Sequence, residues 1–291
     1  MGRVYSYRDM KKDLRRISSE YPELLKVFCL ARTADGNQIY GIRFGNPKAE
    51  KRIVIQASMH AREWFNTELV MRMVERNSRQ WKKNADYRGI FYKRLLEGVC
   101  FFIIPMVNPD GVAISQCGVK GIHDKVLQAM IKEAAGGRYK YWKANARGVD
   151  LNRNYSTGFA SATADSIGGQ EYAGKSPFSE RETRAMVRLI HRVKPQIVIN
   201  YHSAGHLIYY KEDSRLVQRL GQLTGYLLCQ EKDEANGNLG DWLSELGIAW
   251  CTLETCIGKA PAGRWQLLFE WRKHRDLMAE VALLLREENN V

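Results

Sequence analysis

The chain has 291 residues, of which 45% are hydrophobic and 26% are charged. This length and composition predict a globular protein with a sizeable core and exclude a disordered chain. No apolar run approaches the roughly 20 residues that a membrane-spanning helix needs. Residues 1–7 lack the apolar stretch of a signal peptide, so we expect no membrane span and no leader, unless a leader has been removed.

The formal net charge is +13, from 45 Lys and Arg residues against 32 Asp and Glu residues. Such a charge favours acidic partners through long-range attraction. The basic residues are scattered along the chain, and no nucleic-acid-binding motif is recognisable, so we expect no nucleic-acid partner. A solvated basic surface and an acidic substrate both remain open as explanations.

The six cysteines include no Cys-x-x-Cys pair, and several lie in apolar runs; they are Cys29, Cys100, Cys117, Cys229, Cys251 and Cys256. An even number allows disulfides. Reduced, buried thiols are the simpler interpretation for a chain of this size. We therefore expect a cytoplasmic location.

The first third of the chain predicts a helix, a hairpin, a strand and a second helix. Ser6 can cap a helix over residues 7–19. Two β-rich runs at residues 24–33 and 38–44 flank an Asp-Gly-Asn turn and predict an antiparallel hairpin. The apolar, β-branched run at 52–58 predicts a strand, and a helix should follow at residues 66–81.

The middle of the chain predicts a strand buried on both faces at residues 97–105, because this run is continuously apolar and ends in proline. A tight loop should follow at 106–111, and residues 118–147 show little regular pattern. Ser179 is predicted to cap a helix that runs to His191, with Glu182 at the capping-box position.

The last third predicts alternating strands and helices. The predicted strands are residues 196–203, 206–211 and 248–254, and the predicted helices are residues 214–229, 241–246 and 264–286. No repeat or linker divides the chain. We therefore predict a single α/β domain with a mixed sheet, spanning residues 1–291.

A metal site is predicted where two strands end. His60 and Glu63 follow the first of these strands, on the turn that leads into a helix. His202 ends another strand, and strand ends at one edge of a parallel sheet converge. Two histidines and a carboxylate suit a catalytic zinc ion, which keeps its fourth position open. Alone, His-x-x-Glu would more often be chance.

Glu254 ends a strand whose other residues appear buried. A carboxylate there is costly unless it is paired or solvated in a cleft, and next to zinc it could act as a general base. The alternative is a strand-end glutamate that simply faces water.

A polar cluster at residues 147–155 contains Asn152 and Arg153, which could together bind a substrate carboxylate. A surface loop with a salt bridge is the simpler alternative. Asp150 could accept a hydrogen bond from the far nitrogen of a zinc-bound histidine.

Taken together, these motifs resemble the zinc carboxypeptidases that are similar to carboxypeptidase A. In the family's order, they are His-Ala-Arg-Glu-Trp at residues 60–64, Asn-Pro-Asp-Gly at 108–111, Gly-Val-Asp-Leu-Asn-Arg-Asn at 148–154, Tyr-His-Ser at 201–203 and the strand-end Glu254. The resemblance covers nearly the whole chain. It implies an eight-stranded mixed sheet with helices on both faces.

The resemblance also implies a role for each matching residue. His60, Glu63 and His202 would bind one zinc ion per chain, and Glu254 would be the catalytic residue. Asn152 and Arg153 would bind the substrate's terminal carboxylate, and Arg62 would contact the substrate at a subsite. Asp150 would support the first histidine.

Two departures from the digestive members affect substrate binding. Trp142 is followed by Lys143, where those members carry an arginine that stabilises the oxyanion, so Lys143 is the candidate donor here. Residues 233–236 lack the mobile tyrosine of those members. The chain instead resembles the bacterial branch that cuts γ-D-glutamyl-diaminopimelate bonds, and Gly240, at the expected pocket floor, should leave room for a long side chain.

We therefore predict a zinc metallopeptidase that hydrolyses the amide bond next to a carboxylate-bearing C-terminal residue, in a peptide or muropeptide of peptidoglycan. Two alternatives stay open. One is a general metallocarboxypeptidase acting on ordinary peptides. The other is a catalytically weak muropeptide-binding protein, although a complete set of metal ligands and base argues against it.

Overall fold

The computed structural model describes residues 4–161 and 166–287. Residues 1–3, 162–165 and 288–291 of the predicted domain lie outside this part. The strands are β1 Leu25–Arg32, β2 Gln38–Gly45, β3 Lys51–Ala57, β4 Asp86–Tyr87, β5 Ile90–Phe91, β6 Val99–Ile104, β7 Ile197–Ser203, β8 Leu207–Tyr210, β9 Leu227–Gln230 and β10 Ala249–Thr255. The helices are α1 Tyr7–Glu20, α2 Phe65–Lys83, α3 Tyr92–Glu97, α4 Pro109–Cys117, α5 Lys125–Ala135, α6 Arg181–Val193, α7 Arg215–Thr224, α8 Leu239–Glu245, α9 Leu267–His274 and α10 Leu277–Glu287.

Eight strands form one mixed sheet in the order β1-β2-β6-β3-β7-β10-β8-β9. The central strands β6, β3, β7 and β10 are parallel to one another. The β1–β2 hairpin adds antiparallel strands at one edge, and β8 pairs antiparallel with β10 near the other edge. The predicted eight-stranded mixed sheet is therefore confirmed.

Apolar layers cover both faces of the sheet. Along β3, Ile53 and Ile55 belong to one core cluster, whereas Val54 points to the other, and all three are fully buried. Helices α1, α2, α7, α9 and α10 contribute to the first cluster, and α6 and α8 to the second. Because both faces of the central strands are buried, these strands are continuously apolar in the sequence.

The longest helix is α2, with 19 residues, and its exposed side carries several charged side chains. Across the parts of the chain described here, no helix is long and apolar enough to cross a membrane.

The local predictions near the start are confirmed. Ser6 caps α1 and forms a capping box with Asp9. The hairpin has the predicted partners, with Leu25 opposite Phe44. The region that appeared irregular does contain a helix that the prediction missed, α5, which begins after an Asp124 cap.

The single C-terminal helix predicted over residues 264–286 is wrong. The chain forms a short 3₁₀ turn, then α9, and then α10 as a separate helix. Arg76 of α2 explains the break, because its guanidinium binds both the Arg275 carbonyl and the Asp276 carboxylate between the two helices. A contact with a distant helix is not visible in the local pattern.

Three other boundaries were also predicted wrongly. The helix after Ser214 ends at Thr224, because Gly225 has φ of +68°, and β9 follows. The N-cap of α6 is Glu180 rather than Ser179. The tight loop predicted at residues 106–111 contains the start of α4, which Asn108 caps.

Candidate active site

The turn after β3 positions His60 and Glu63. Ser58 has φ of +52°, and its hydroxyl hydrogen-bonds to the Glu63 carbonyl at 3.2 Å. The backbone N–H of Ala61 donates to the carbonyl of Lys143 at 2.9 Å. The chain therefore folds into a short 3₁₀ turn over residues 61–63 that brings both side chains to the same side.

The structure brings the three predicted metal ligands together at the carboxyl ends of β3 and β7. His60 Nδ1 lies 2.9 Å from one oxygen of Glu63, and His202 Nδ1 lies 3.0 Å from the other. The two Nδ1 atoms are 3.0 Å apart. All three side chains are buried.

These distances fit a zinc site. Ligand atoms at about 2.0–2.1 Å from a tetrahedral zinc ion lie roughly 3.3 Å from one another, close to the separations found here. Asp150 Oδ1 lies 3.3 Å from the far nitrogen of His60, which is how carboxylates hold zinc-binding histidines. Among the described residues, only His60, Glu63 and His202 form such a group of three potential ligands.

The electrostatics of the cluster favour an anionic Glu63. Burial by itself would raise the pKa of this carboxyl, but the neighbouring His60 and His202 outweigh burial and hold the pKa below its usual range. In turn, burial would lower the pKa of His202, and Glu63 raises it. The carboxylate therefore stays ionised in a buried place, as a metal ligand must.

Lys143 contacts Asp150 rather than projecting freely into the cleft. Its Nζ lies 2.6 Å from Asp150 Oδ2, and the Asp150 side chain is fully buried. Burial would raise the pKa of Asp150, but the charges of Lys143 and His60 keep it well below the usual range. Direct contact of Lys143 with substrate stays a prediction.

Glu254 lies on β10, directly beside His202 in the parallel β7–β10 register, and is partly exposed. The pKa of Glu254 is raised to about 7, because burial and the Glu63 charge together outweigh the opposing effects of His202 and Lys143. A carboxyl group with such a pKa can accept and return a proton near neutral pH.

The candidate carboxylate-binding residues lie on the loop after Asp150. Asn152 accepts a hydrogen bond from the backbone of Leu239 at 3.0 Å. The guanidinium of Arg153 binds the carboxylate of Glu171 at 3.0 Å, a partner that sequence analysis did not identify. Their binding of a substrate carboxylate stays a prediction.

Arg62 and Gly240 were also singled out by the sequence. Arg62 lies on the turn between the two ligands, and its guanidinium approaches the carbonyl of Tyr141 at 3.5 Å. The expectation that Gly240 leaves room for a substrate is wrong. A Cβ atom there would lie 2.7 Å from the indole of Trp250, so this ring already fills the space.

Two asparagines to which the sequence analysis assigned no role support the site. Asn108 donates to the carbonyls of Met59 and Ala144, and so ties the His60 turn to the Lys143 loop. Its signal was an amide directly after a buried strand. Asn66 donates to the hydroxyl of Ser203 and accepts from Thr255, next to His202 and Glu254. No local pattern indicated that contact.

Known proteins resemble this chain over most of its length. The model of the zinc carboxypeptidase family matches residues 10–238. The chain is 26% identical over 257 residues to the uncharacterized protein YqgT of Bacillus subtilis, covering 82% of this chain and 66% of that protein. It is also 26% identical over 248 residues to γ-D-glutamyl-L-diamino acid endopeptidase 1 of Lysinibacillus sphaericus, covering 82% and 62%.

The chain thus spans less than two thirds of the length of either relative. Among solved structures, thrombin activatable fibrinolysis inhibitor superposes with a TM-score of 0.74 at 18% identity, covering 96% of this chain and 74% of that one. At this identity the structural likeness shows the fold, whereas the family model covers most of the sequence. The chain therefore belongs to the zinc carboxypeptidase family.

Proposed function

We propose that this protein is a zinc-dependent metallocarboxypeptidase that hydrolyses the amide bond next to a carboxylate-bearing C-terminal residue. The observation that carries the proposal is the convergence of His60, Glu63 and His202 within 3.0 Å of one another, with Glu254 on the adjoining strand. These three residues would hold one zinc ion, which supplies a Lewis acid for the scissile carbonyl and for the attacking water.

Glu254 acts as the general base. It accepts a proton from the attacking water and passes that proton to the leaving amine as the bond breaks. Its position beside His202 and its pKa of about 7 support both steps, because a carboxyl with this pKa exchanges protons readily at neutral pH.

Arg153, Asn152 and Arg62 orient the substrate. The Arg153–Glu171 ion pair involves a glutamate side chain that is 43% exposed, and such pairs contribute little to stability. A substrate carboxylate can therefore replace Glu171 on the guanidinium. Lys143 lies close enough to lower the pKa of Glu254, so its charge also offsets the negative charge that develops on the carbonyl oxygen.

The proposed substrates are muropeptides with a γ-D-glutamyl-meso-diaminopimelate bond. Two observations support this class: similarity to a relative named as a γ-D-glutamyl-L-diamino acid endopeptidase, and a net charge of +13 that favours acidic peptides. A cytoplasmic location would expose the enzyme to soluble muropeptides rather than to the intact wall.

The test is incubation of zinc-loaded protein with L-Ala-γ-D-Glu-meso-diaminopimelate and, separately, with a peptide ending in phenylalanine. Mass spectrometry identifies the products. We expect release of diaminopimelate only. Cleavage of the phenylalanine peptide instead would make the protein a general carboxypeptidase.

A Glu254→Gln variant provides the control, since it removes the base and leaves the ligands in place. It should retain zinc and lose turnover by a factor of at least about 10². Full turnover in this variant would remove Glu254 from the proposed role. If the unmodified, zinc-loaded protein binds the muropeptide without cleaving it, the weak binding-protein alternative holds.

A further inference from the structure

A second concave site shares no lining residue with the candidate active site. It is a cavity of about 350 Å³ between the β1-β2-β6 edge of the sheet and the C-terminal half of α6. We call it the basic groove. Its lining residues are Lys26, Phe28, Cys29, Leu30, Arg43, Phe102, Arg188, Leu189, Arg192 and Val193.

The groove lies where α6 packs against the sheet beside the β1–β2 hairpin. In register across the strands, Lys26 pairs with Arg43, Arg43 with Phe102, and Phe102 with Val54. Val54 is fully buried, Phe102 and Arg43 are half-buried, and Lys26 is exposed. On this face of the sheet, the exposure of the side chains therefore increases from the core strand β3 towards the hairpin strand β1.

Like charges are placed next to one another around this groove. Lys26 and Arg43 are direct cross-strand partners, and like charges in that arrangement are destabilising. Arg188 and Arg192 are four residues apart on α6, which is unfavourable for the same reason. The β1–β2 hairpin and helix α6 thus each place a pair of like-charged side chains beside the same cavity.

In the described part of the chain, no carboxylate pairs with these cations to relieve the repulsion. Within residues 4–161 and 166–287, none of the four cations forms an ion pair, and the groove lining contains no acidic residue. Most other arginines with assigned contacts in this protein bind a carboxylate or a carbonyl. An anion bound in the groove would offset this repulsion.

The floor between the cations is apolar. Leu189 and Val193 are buried, and Phe28 and Phe102 are half-buried. The Phe28 ring lies over Gly41, its cross-strand partner, where a Cβ atom would come within 2.3 Å of the ring. An apolar floor with few polar groups at the rim is typical of small-molecule sites, which start at about 300 Å³.

We propose that the basic groove binds a small single-chain amphiphile with an anionic head, of the fatty-acid type. The apolar chain lies on Phe28, Phe102 and Leu189, and the carboxylate contacts Arg188 and Arg192. A nucleic acid fits less well, because the lining offers no amide or acid side chain to read bases. This proposal is independent of the proposed peptidase activity.

The first test is calorimetric titration with octanoate, with octanol and acetate as ligands that lack the charge or the chain. We expect one octanoate per chain and much weaker binding of the other two.

The double variant Arg188→Gln/Arg192→Gln should weaken octanoate binding roughly tenfold or more. The control Lys132→Gln removes an exposed charge from α5 and should change nothing. Equal binding of octanol, or no effect of the double variant, would overturn the proposal.

Two further binding measurements test whether the groove prefers another class of anion. Binding of phosphatidylglycerol vesicles and of a short oligothymidylate is measured with the unmodified protein and the same variants. Binding to either one that depends on Arg188 and Arg192, without octanoate binding, would replace the proposal by a membrane or nucleic-acid surface. The ligand-free double variant should be at least as thermally stable as the unmodified protein, because it removes a like-charge contact.

Discussion

Glu63 and Glu182 are both buried glutamates, with 3% and 1% of their surface exposed, yet their electrostatic states are opposite. Glu63 lies between two histidines, which hold the pKa of its carboxyl below the usual range. Burial, assisted by the nearby Asp110 and Glu180, raises the pKa of Glu182 to about 8.

The difference lies in the neighbours, because desolvation acts on both side chains in the same direction. Glu182 shares the amide of Asn145 with Glu180, at 3.4 Å and 2.8 Å respectively, and within the described structure its other oxygen has no hydrogen-bond partner. A buried carboxyl group becomes a metal ligand only where cations or donors compensate its charge. Without them it is protonated instead.

The largest effect is expected from Glu63→Gln, which replaces the anionic ligand by a neutral amide. Zinc content after dialysis against a weak chelator should fall from about one per chain to almost none, and peptidase activity should disappear with it. Elemental analysis measures the zinc. Glu182→Gln is the matched control and should keep zinc. Retention of zinc by Glu63→Gln would show that Glu63 is not a ligand.

Glu182→Gln should instead change how stability depends on pH. The folded protein holds Glu182 protonated well above the usual value of 4.5, so the unmodified protein loses unfolding free energy as pH rises from 4.5 to about 8. The variant lacks this loss. The difference in unfolding free energy between the variant and the unmodified protein should therefore shift in favour of the variant by on the order of a few kcal/mol between pH 4.5 and pH 8.

Urea unfolding at both pH values measures that difference. Glu133→Gln, at an exposed position of α5, is the control and should show no such change. The same pH dependence in Glu182→Gln and the unmodified protein would mean that Glu182 is already compensated, and the contrast with Glu63 would fail.

Asp150→Asn tests whether the histidine side of the site needs its own carboxylate. Loss of the charge next to His60 should weaken zinc binding about 10- to 100-fold, as measured by competition with a chromogenic chelator. Asp110→Asn is the control. Asp110 is equally buried but contacts Thr33 and Asn37, so zinc affinity should not change. Equal effects of both variants would indicate general damage.

The smallest effect is expected from Glu171→Gln, which removes the partner of the Arg153 guanidinium. A partly exposed pair contributes about 0.2–1 kcal/mol, so KM for a substrate with a free C-terminal carboxylate should fall about two- to fivefold. The value of kcat should stay unchanged. An increase in KM would argue that Arg153 does not bind that carboxylate.

Most of the fold could be predicted from local patterns. The apolar runs of β3, β6, β7 and β10 are visible in the sequence because these strands are buried on both faces. The cap at Ser6 and the hairpin turn at residues 35–37 could also be predicted, because each depends on a few neighbouring residues. The break at Arg275 was not, because a side chain from α2 causes it.

The candidate site divides in the same way. The sequence by itself determined that His60, Glu63, His202 and Glu254 stand at strand ends, where a parallel sheet collects side chains. Only the tertiary structure decided that Lys143 pairs with Asp150, that Trp250 fills the space beside Gly240, and that no cation of the described residues pairs with Glu182. Those contacts depend on strand order and helix packing, which join residues that are far apart in the sequence. The burial of a side chain and the protonation state of a buried carboxyl group are therefore decided by the assembled fold, whereas the positions of strands and turns follow from the local sequence.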